Sequence, residues 1–138
     1  MNEQRNAPAP APSTAPAARR AMVVDDSRMV RRIAREILTG LGYNVVEAEH
    51  GGEALERVRA HGLPDLILLD WNMPVMSGLQ TLKELRKAVP ALPQVMFCTT
   101  NSDAVDIHAG IEAGATDWIV KPFDADAMQA KLEKIGAL

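Results

Sequence analysis

Four short apolar runs in this chain end in polar residues. Met22-Val23-Val24 runs into Asp25-Asp26, Leu66 to Leu69 into Asp70, Val95 to Cys98 into Thr99-Thr100, and Trp118-Ile119-Val120 into Lys121-Pro122. Between the apolar runs lie longer segments of helical period, and that alternation is the signature of a β/α domain. Strands are expected at Arg20 to Val24, Tyr43 to Ala48, Asp65 to Leu69, Gln94 to Cys98 and Thr116 to Val120. Helices are expected at Ser27 to Thr39, Gly52 to Ala60, Leu79 to Ala88, Asp103 to Ala113 and Ala125 to Ile135, with Ser102 and Asp124 as N-caps. Runs such as Leu66-Ile67-Leu68-Leu69 are apolar throughout, as strands covered by helices on both faces must be, so the sheet should be parallel and doubly wound. In the first helix, Val30, Ile33, Ala34, Ile37, Leu38 and Leu41 recur at three- and four-residue spacing and predict the buried stripe.

In an open parallel sheet all carboxyl ends share one edge, and ligands bind there. One charged residue at a strand end is commonplace, whereas four polar ends converging make a site. Asp25, Asp26 and Asp70 cannot all stay ionised within a few ångströms unless their pKa values rise or a cation joins them. Oxygen donors without His or Cys favour Mg²⁺. Lys121 adds a second positive charge. An aspartate beside both cations can attack a phosphoryl group, because they offset the charge spread over its oxygens, and a Thr99 hydroxyl can donate to one of those oxygens.

The rest of the chain limits the alternatives. Residues 1 to 18, centred on Ala7-Pro8-Ala9-Pro10-Ala11-Pro12, predict a disordered arm that buries almost nothing, leaving 19–138 for one domain. The chain carries 15 basic and 18 acidic side chains, a net charge of −3, which argues against nucleic acid or anionic lipid as partners. No export signal or membrane-spanning run is apparent, so a cytoplasmic monomer is expected. Cys98, alone and in an apolar run, reads as a small buried hydrophobe.

At the segments Val23-Val24-Asp25-Asp26-Ser27, Asp70-Trp71-Asn72-Met73-Pro74 and Val120-Lys121-Pro122-Phe123, with Thr99 placed 22 residues before Lys121, the sequence resembles the response-regulator receiver family, its CheY-like single-domain members in particular. The resemblance spans Arg20 to Leu138. It implies a flavodoxin-like strand order 2-1-3-4-5, Asp70 as phosphoacceptor, and Mg²⁺ held by Asp25, Asp26, Asp70 and the Asn72 backbone carbonyl. It further implies that Thr99 and Lys121 contact the acyl phosphate, that Lys121-Pro122 is cis, that a histidine kinase or histidine phosphotransfer protein is the donor, and that an effector protein reads the phosphorylated state. Two positions depart from the family: Trp118 stands where a Tyr or Phe is usual, and Thr100 where a small residue is common.

On the first helix, Arg28, Arg31, Arg32 and Arg35 form a basic stripe that serves either as a solvated face or as a docking surface for the phosphodonor. Thr99 and Trp118 are the expected switch, and Trp118, Ile107 and Lys131 are expected on the exposed face of the fourth helix, fifth strand and fifth helix as the output surface. His108 is expected to be a half-buried packing residue, and Met73 and Met76 gap-fillers. Within the receiver reading, a motor effector, a phosphorelay intermediate and a phosphate sink all stay open, and two rival functions stand beside it. A haloacid-dehalogenase-type phosphohydrolase needs a second Asp two residues after the nucleophile, where this chain has Asn72. A degenerate interaction module should have lost one of Asp25, Asp26, Asp70, Thr99 or Lys121, and all are present.

Overall fold

The computed structural model describes residues 18–89, 91–100 and 103–138. Strands β1 (Arg19–Val24), β2 (Tyr43–Ala48), β3 (Leu66–Asp70), β4 (Gln94–Thr99) and β5 (Asp117–Val120) alternate with helices α1 (Arg28–Gly40), α2 (Gly51–His61), α3 (Gly78–Ala88), α4 (Ala104–Glu112) and α5 (Ala125–Lys134). The strands form one parallel sheet of order β2-β1-β3-β4-β5, as expected. The Ala/Pro-rich arm, apart from Ala18, lies outside the described residues.

Alternation along each strand divides the core in two. Met22, Val24, Ile67, Leu69, Val95 and Phe97 face one side with Ala54, Val58, Leu82 and Leu85 from α2 and α3. Ala21, Val23, Leu66, Leu68, Met96 and Cys98 face the other with Ala34, Leu38, Met128 and Leu132 from α1 and α5. Each fully buried Leu or Ile contributes about 1.5–3 kcal/mol through removal from water. This burial on both faces is what made the runs continuously apolar.

Two strands extend one residue beyond their apolar runs. Asp70 pairs with Cys98 in the β3–β4 ladder and Thr99 with Val120 in the β4–β5 ladder, so both functional candidates belong to strands rather than to loops. Backbone pairing continues past the last apolar side chain because it does not depend on hydropathy.

Helix starts follow local chemistry. Ser27 caps α1 by accepting from Val30 N, Ser77 and Gln80 form a capping box on α3, and Asp124 caps α5. The α4 cap is Asp103, which accepts from Val105 N; Ser102, the expected cap, lies outside the described residues.

Helix α1 departs from its expected stripe. Arg31, Ala34 and Leu38 are its buried residues, whereas Ile33 is 43% exposed. Positions 31, 34 and 38 fall on one helical line. Arg31 can occupy its end because its guanidinium finds partners there, so the basic stripe on the outer surface reduces to Arg28, Arg32 and Arg35. His108 is also corrected: its side chain is 77% exposed and lies 3.6 Å from Glu112, one turn along α4. Cys98 is buried and unpaired, as expected.

Candidate functional site

The carboxyl ends of four strands meet on Lys121. Its Nζ donates to Asp25 Oδ2 at 2.9 Å and to Asp70 Oδ1 at 3.1 Å, joining residues separated by 96 and 51 positions in sequence. Asp25 and Asp70 are buried, and Asp26, beside them, is exposed. One carboxylate oxygen from each of the three lies within 4.8 Å of the others. Thr99 is buried at the end of β4, and Lys121 N donates to its carbonyl at 2.7 Å. The Lys121-Pro122 bond is cis.

Asp70 is held from several directions. The Asn72 amide donates to its Oδ1 at 3.3 Å, and Trp71 N donates to Cys98 O at 2.9 Å. Helix α3 begins directly against its backbone. A Cβ on Gly78 would stand 2.2 Å from Asp70 O, so no residue with a side chain fits there without a backbone shift. The Gly78 amide donates to Trp71 O at 3.0 Å, closing the intervening loop. Met73 fills space beneath that loop, and Val75 at its tip is fully exposed with φ 70. A β-branched residue rarely adopts that conformation.

Burial and the neighbouring Asp25 charge push the Asp70 carboxyl up to about 6, against the opposing pull of Lys121. For Lys121, burial lowers the pKa, but the hydrogen bonds it donates to Asp25 and Asp70 outweigh it, so the ammonium is held above its ordinary value. Burial pushes the Cys98 thiol well up, leaving it unreactive beside the site. One ammonium thus serves an excess of negative charge. Three hard oxygen donors, two of them buried, form a set that suits a divalent cation such as Mg²⁺.

The structure brings Asp25, Asp26, Asp70, Thr99 and Lys121 together, with the exposed Asn72 at the mouth. Other expected positions fall elsewhere. Trp118 is only 6% exposed and faces the α4 side of the sheet, against Trp71 with ring centroids 5.0 Å apart and Phe97 at 5.1 Å. Its place on an exposed output surface is therefore corrected. The pocket exists because Gly110 of α4 has no side chain: a Cβ there would lie 3.0 Å from both rings. The indole Nε1 is buried with no hydrogen-bond partner among the described residues. Ile107 is half-buried against the same cluster, and Lys131 is half-buried, 3.4 Å from Asp117. The exposed apolar side chains in this region are Val105, Ile111 and Val120.

Of the arginines, Arg31 is buried and bound to Glu47 and to Asp25 O. Arg35 pairs with Glu47 at 2.7 Å, and Arg32 with Glu36. An apolar groove of 320 Å³, lined by Val30, Ile33, Pro122 and Phe123, opens next to Thr100 and Lys121. Sequence reasoning missed Gly78, Gly110 and this role of Arg31. Only the last left a signal, in its spacing from Ala34 and Leu38.

The family model of the response regulator receiver domain matches residues 21–133. Chemotaxis protein CheY1 of Helicobacter pylori is 38% identical over 120 residues, covering 83% of this chain and 94% of that protein. CheY of Bacillus subtilis is 38% identical over 118 residues, covering 85% and 97%. Among solved structures, Vibrio cholerae CheY4 superposes with a TM-score of 0.80 at 32% identity, over 86% of this chain and 99% of that one.

Proposed function

Because the chain belongs to the response regulator receiver domain family, we propose that it works as a stand-alone response regulator whose Asp70 carries the phosphoryl group. The observation that carries this reading is the convergence of Lys121 on both Asp25 and Asp70 within a cluster of three carboxylates. An Asp70 oxygen attacks the phosphorus of a phosphohistidine. The P–O bond forms as the P–N bond breaks, and the imidazole nitrogen takes the bonding pair. Lys121 is a fixed cation beside the attacking oxygen, and the Thr99 hydroxyl accompanies the phosphoryl group as a hydrogen-bond donor.

Mg²⁺, held by Asp25, Asp26, Asp70 and the Asn72 carbonyl, supplies the remaining positive charge when bound. The protein's own part is to keep these donors together and partly dry. Asn72 stands where a phosphohydrolase would place its general acid and cannot donate a proton in that way, so turnover of external phosphate esters is not expected.

The donor is a histidine kinase or histidine phosphotransfer protein. The groove beside Lys121, lined by Val30 and Ile33 of α1, the helix that also carries Arg28 and Arg32, suits an apolar helical face with acidic edges. This reading moves docking away from Arg31 and Arg35, whose guanidinium groups are occupied within the fold. Output is phosphorylation-dependent binding of an effector protein, with chemotaxis the setting suggested by the relatives. A cytoplasmic, monomeric protein fits these roles, and no described helix is long and apolar enough to cross a membrane.

Incubation with acetyl phosphate or phosphoramidate and Mg²⁺ should add one phosphate by intact-mass analysis. Asp70→Asn and EDTA should each abolish the addition. Equal labelling of Asp70→Asn, or indifference to EDTA, would overturn the assignment.

A further inference from the structure

Every polar atom of Asp25 has a partner. Its amide donates to Ala48 O at 3.1 Å. Its Oδ1 accepts from Ser27 N at 2.8 Å, and its Oδ2 from Lys121 at 2.9 Å. The carbonyl accepts from Arg31 Nη1 at 2.7 Å, and that last contact comes from a side chain one turn into α1. The same guanidinium donates through Nε to Glu47 Oε1 at 3.1 Å, and its side chain is 9% exposed.

We propose that Arg31 is a positioning residue for the acidic cluster: it clamps the carbonyl at the end of β1 to β2 and thereby sets where Asp25 and Asp26 present their carboxylates. The inference rests on the reading of that cluster as a divalent-cation site.

Three features separate this role from ordinary surface pairing. First, the guanidinium is buried and bridges two strands, whereas Arg32 only meets Glu36 along its own helix, with both side chains well exposed. Second, its two bonds diverge, one to a backbone carbonyl and one to a carboxylate, which the planar fork of Arg can satisfy together and a Lys ammonium cannot at the same spacing. Third, Asp26 has no other described anchor: it follows directly on the clamped carbonyl, and its exposed carboxylate goes where that peptide unit sends it. Glu47 is also held by Arg35, so one side of the clamp persists if Arg31 is lost, while Asp25 O has no second donor among the described residues. For Glu47, burial opposes ionisation, but the hydrogen bonds from Arg35 and Arg31 outweigh it and keep its carboxyl below the usual range.

Removing a charge beside three carboxylates should by itself tighten cation binding. Weaker binding after loss of Arg31 therefore reports geometry and not charge. The probe is Mg²⁺ alone, followed by the tryptophan fluorescence of the full chain, with circular dichroism and a melting temperature for each variant. Arg31→Met is expected to weaken Mg²⁺ about tenfold or more, the range seen when groups orienting metal ligands are removed. Glu47→Gln, which leaves the contact to Asp25 O, should stay close to wild type. Val58→Ala, a core truncation distant from the site, lowers the melting temperature without altering Mg²⁺ affinity.

Wild-type affinity in a folded Arg31→Met, or an equal loss in Val58→Ala, would overturn the proposal. If Arg31→Met does not fold, Arg31→Lys, which keeps the charge and one donor, is read instead. A clear loss of affinity supports the clamp, and unchanged affinity refutes it. Absence of any Mg²⁺ response in the wild type refutes the cation site itself, an outcome distinct from failure of the clamp.

Discussion

Gly110 and Trp118 approach so closely that a methyl group on the glycine would crowd the indole and require the ring to give. A Cβ built on Gly110 lies 3.0 Å from Trp118 Cζ2 and 3.0 Å from Phe97 Cε2. The aromatic cluster of Trp71, Phe97 and Trp118 therefore depends on a missing side chain in α4. Because Trp71 adjoins Asp70, this cluster links Asp70 to β5 directly.

Gly110→Ala should destabilise the protein by about 1–3 kcal/mol, the range for overpacking a filled core, although alanine is the better helix former. Thermal melting checks the cost and near-ultraviolet circular dichroism checks the ring. Trp118→Tyr in the Gly110→Ala background should recover much of the loss, since a phenol is smaller than an indole. A Gly110→Ala protein as stable as wild type would mean that the ring moves freely.

Trp118 already lies inward, so phosphorylation has little ring movement left to drive. Adding beryllofluoride with Mg²⁺ should shift the Thr99 amide strongly and the Trp118 indole N–H much less, read by ¹⁵N–¹H correlation spectra. A large indole shift with loss of the Trp71 contact would restore a ring-rotation switch.

Asp70 holds its proton up to about pH 6 when folded, against an ordinary value of 3.8. Between those values the folded form binds more protons than the unfolded one, so this group's contribution to stability falls as pH rises through that window. In EDTA, Asp70→Asn lacks the ionisation and should melt higher than wild type above pH 6. The gap should shrink toward pH 4 and on adding Mg²⁺. A gap constant with pH would rule out the raised value.

Val75 occupies φ 70 at a fully exposed tip. Strain of this kind costs on the order of 1–3 kcal/mol. Val75→Asn, which tolerates the left-handed region, should raise stability by about 1 kcal/mol in chemical denaturation and leave phosphorylation of Asp70 intact. A fall in stability would show that the valine is not strained there.

Tyr43 ties the end of the chain to β2 through its hydroxyl, which donates to Ala137 O at 2.5 Å in a buried setting. Tyr43→Phe should cost about 1 kcal/mol, the usual net worth of such a bond, visible as a lower denaturation midpoint.

What the sequence determined by itself is the part encoded in short windows. Apolar runs buried on both faces specify parallel strands, and their polar ends place Asp25, Asp70, Thr99 and Lys121 on one edge, because every carboxyl end of a parallel sheet lies there. Caps at Ser27 and Asp124 are equally local. The tertiary structure alone decided matters that rest on contacts between distant segments. A helical arginine reads as solvated until its line coincides with Ala34 and Leu38 and a carbonyl from β1 waits at its end. Trp118 reads as a surface ring until Gly110, eight positions away on another element, vacates the volume it fills. Gly78 reads as a loop glycine until the start of α3 is seen resting on Asp70. Period and hydropathy carry information about which side chains leave water, whereas van der Waals exclusion and hydrogen-bond partners become defined only once separate elements pack against one another.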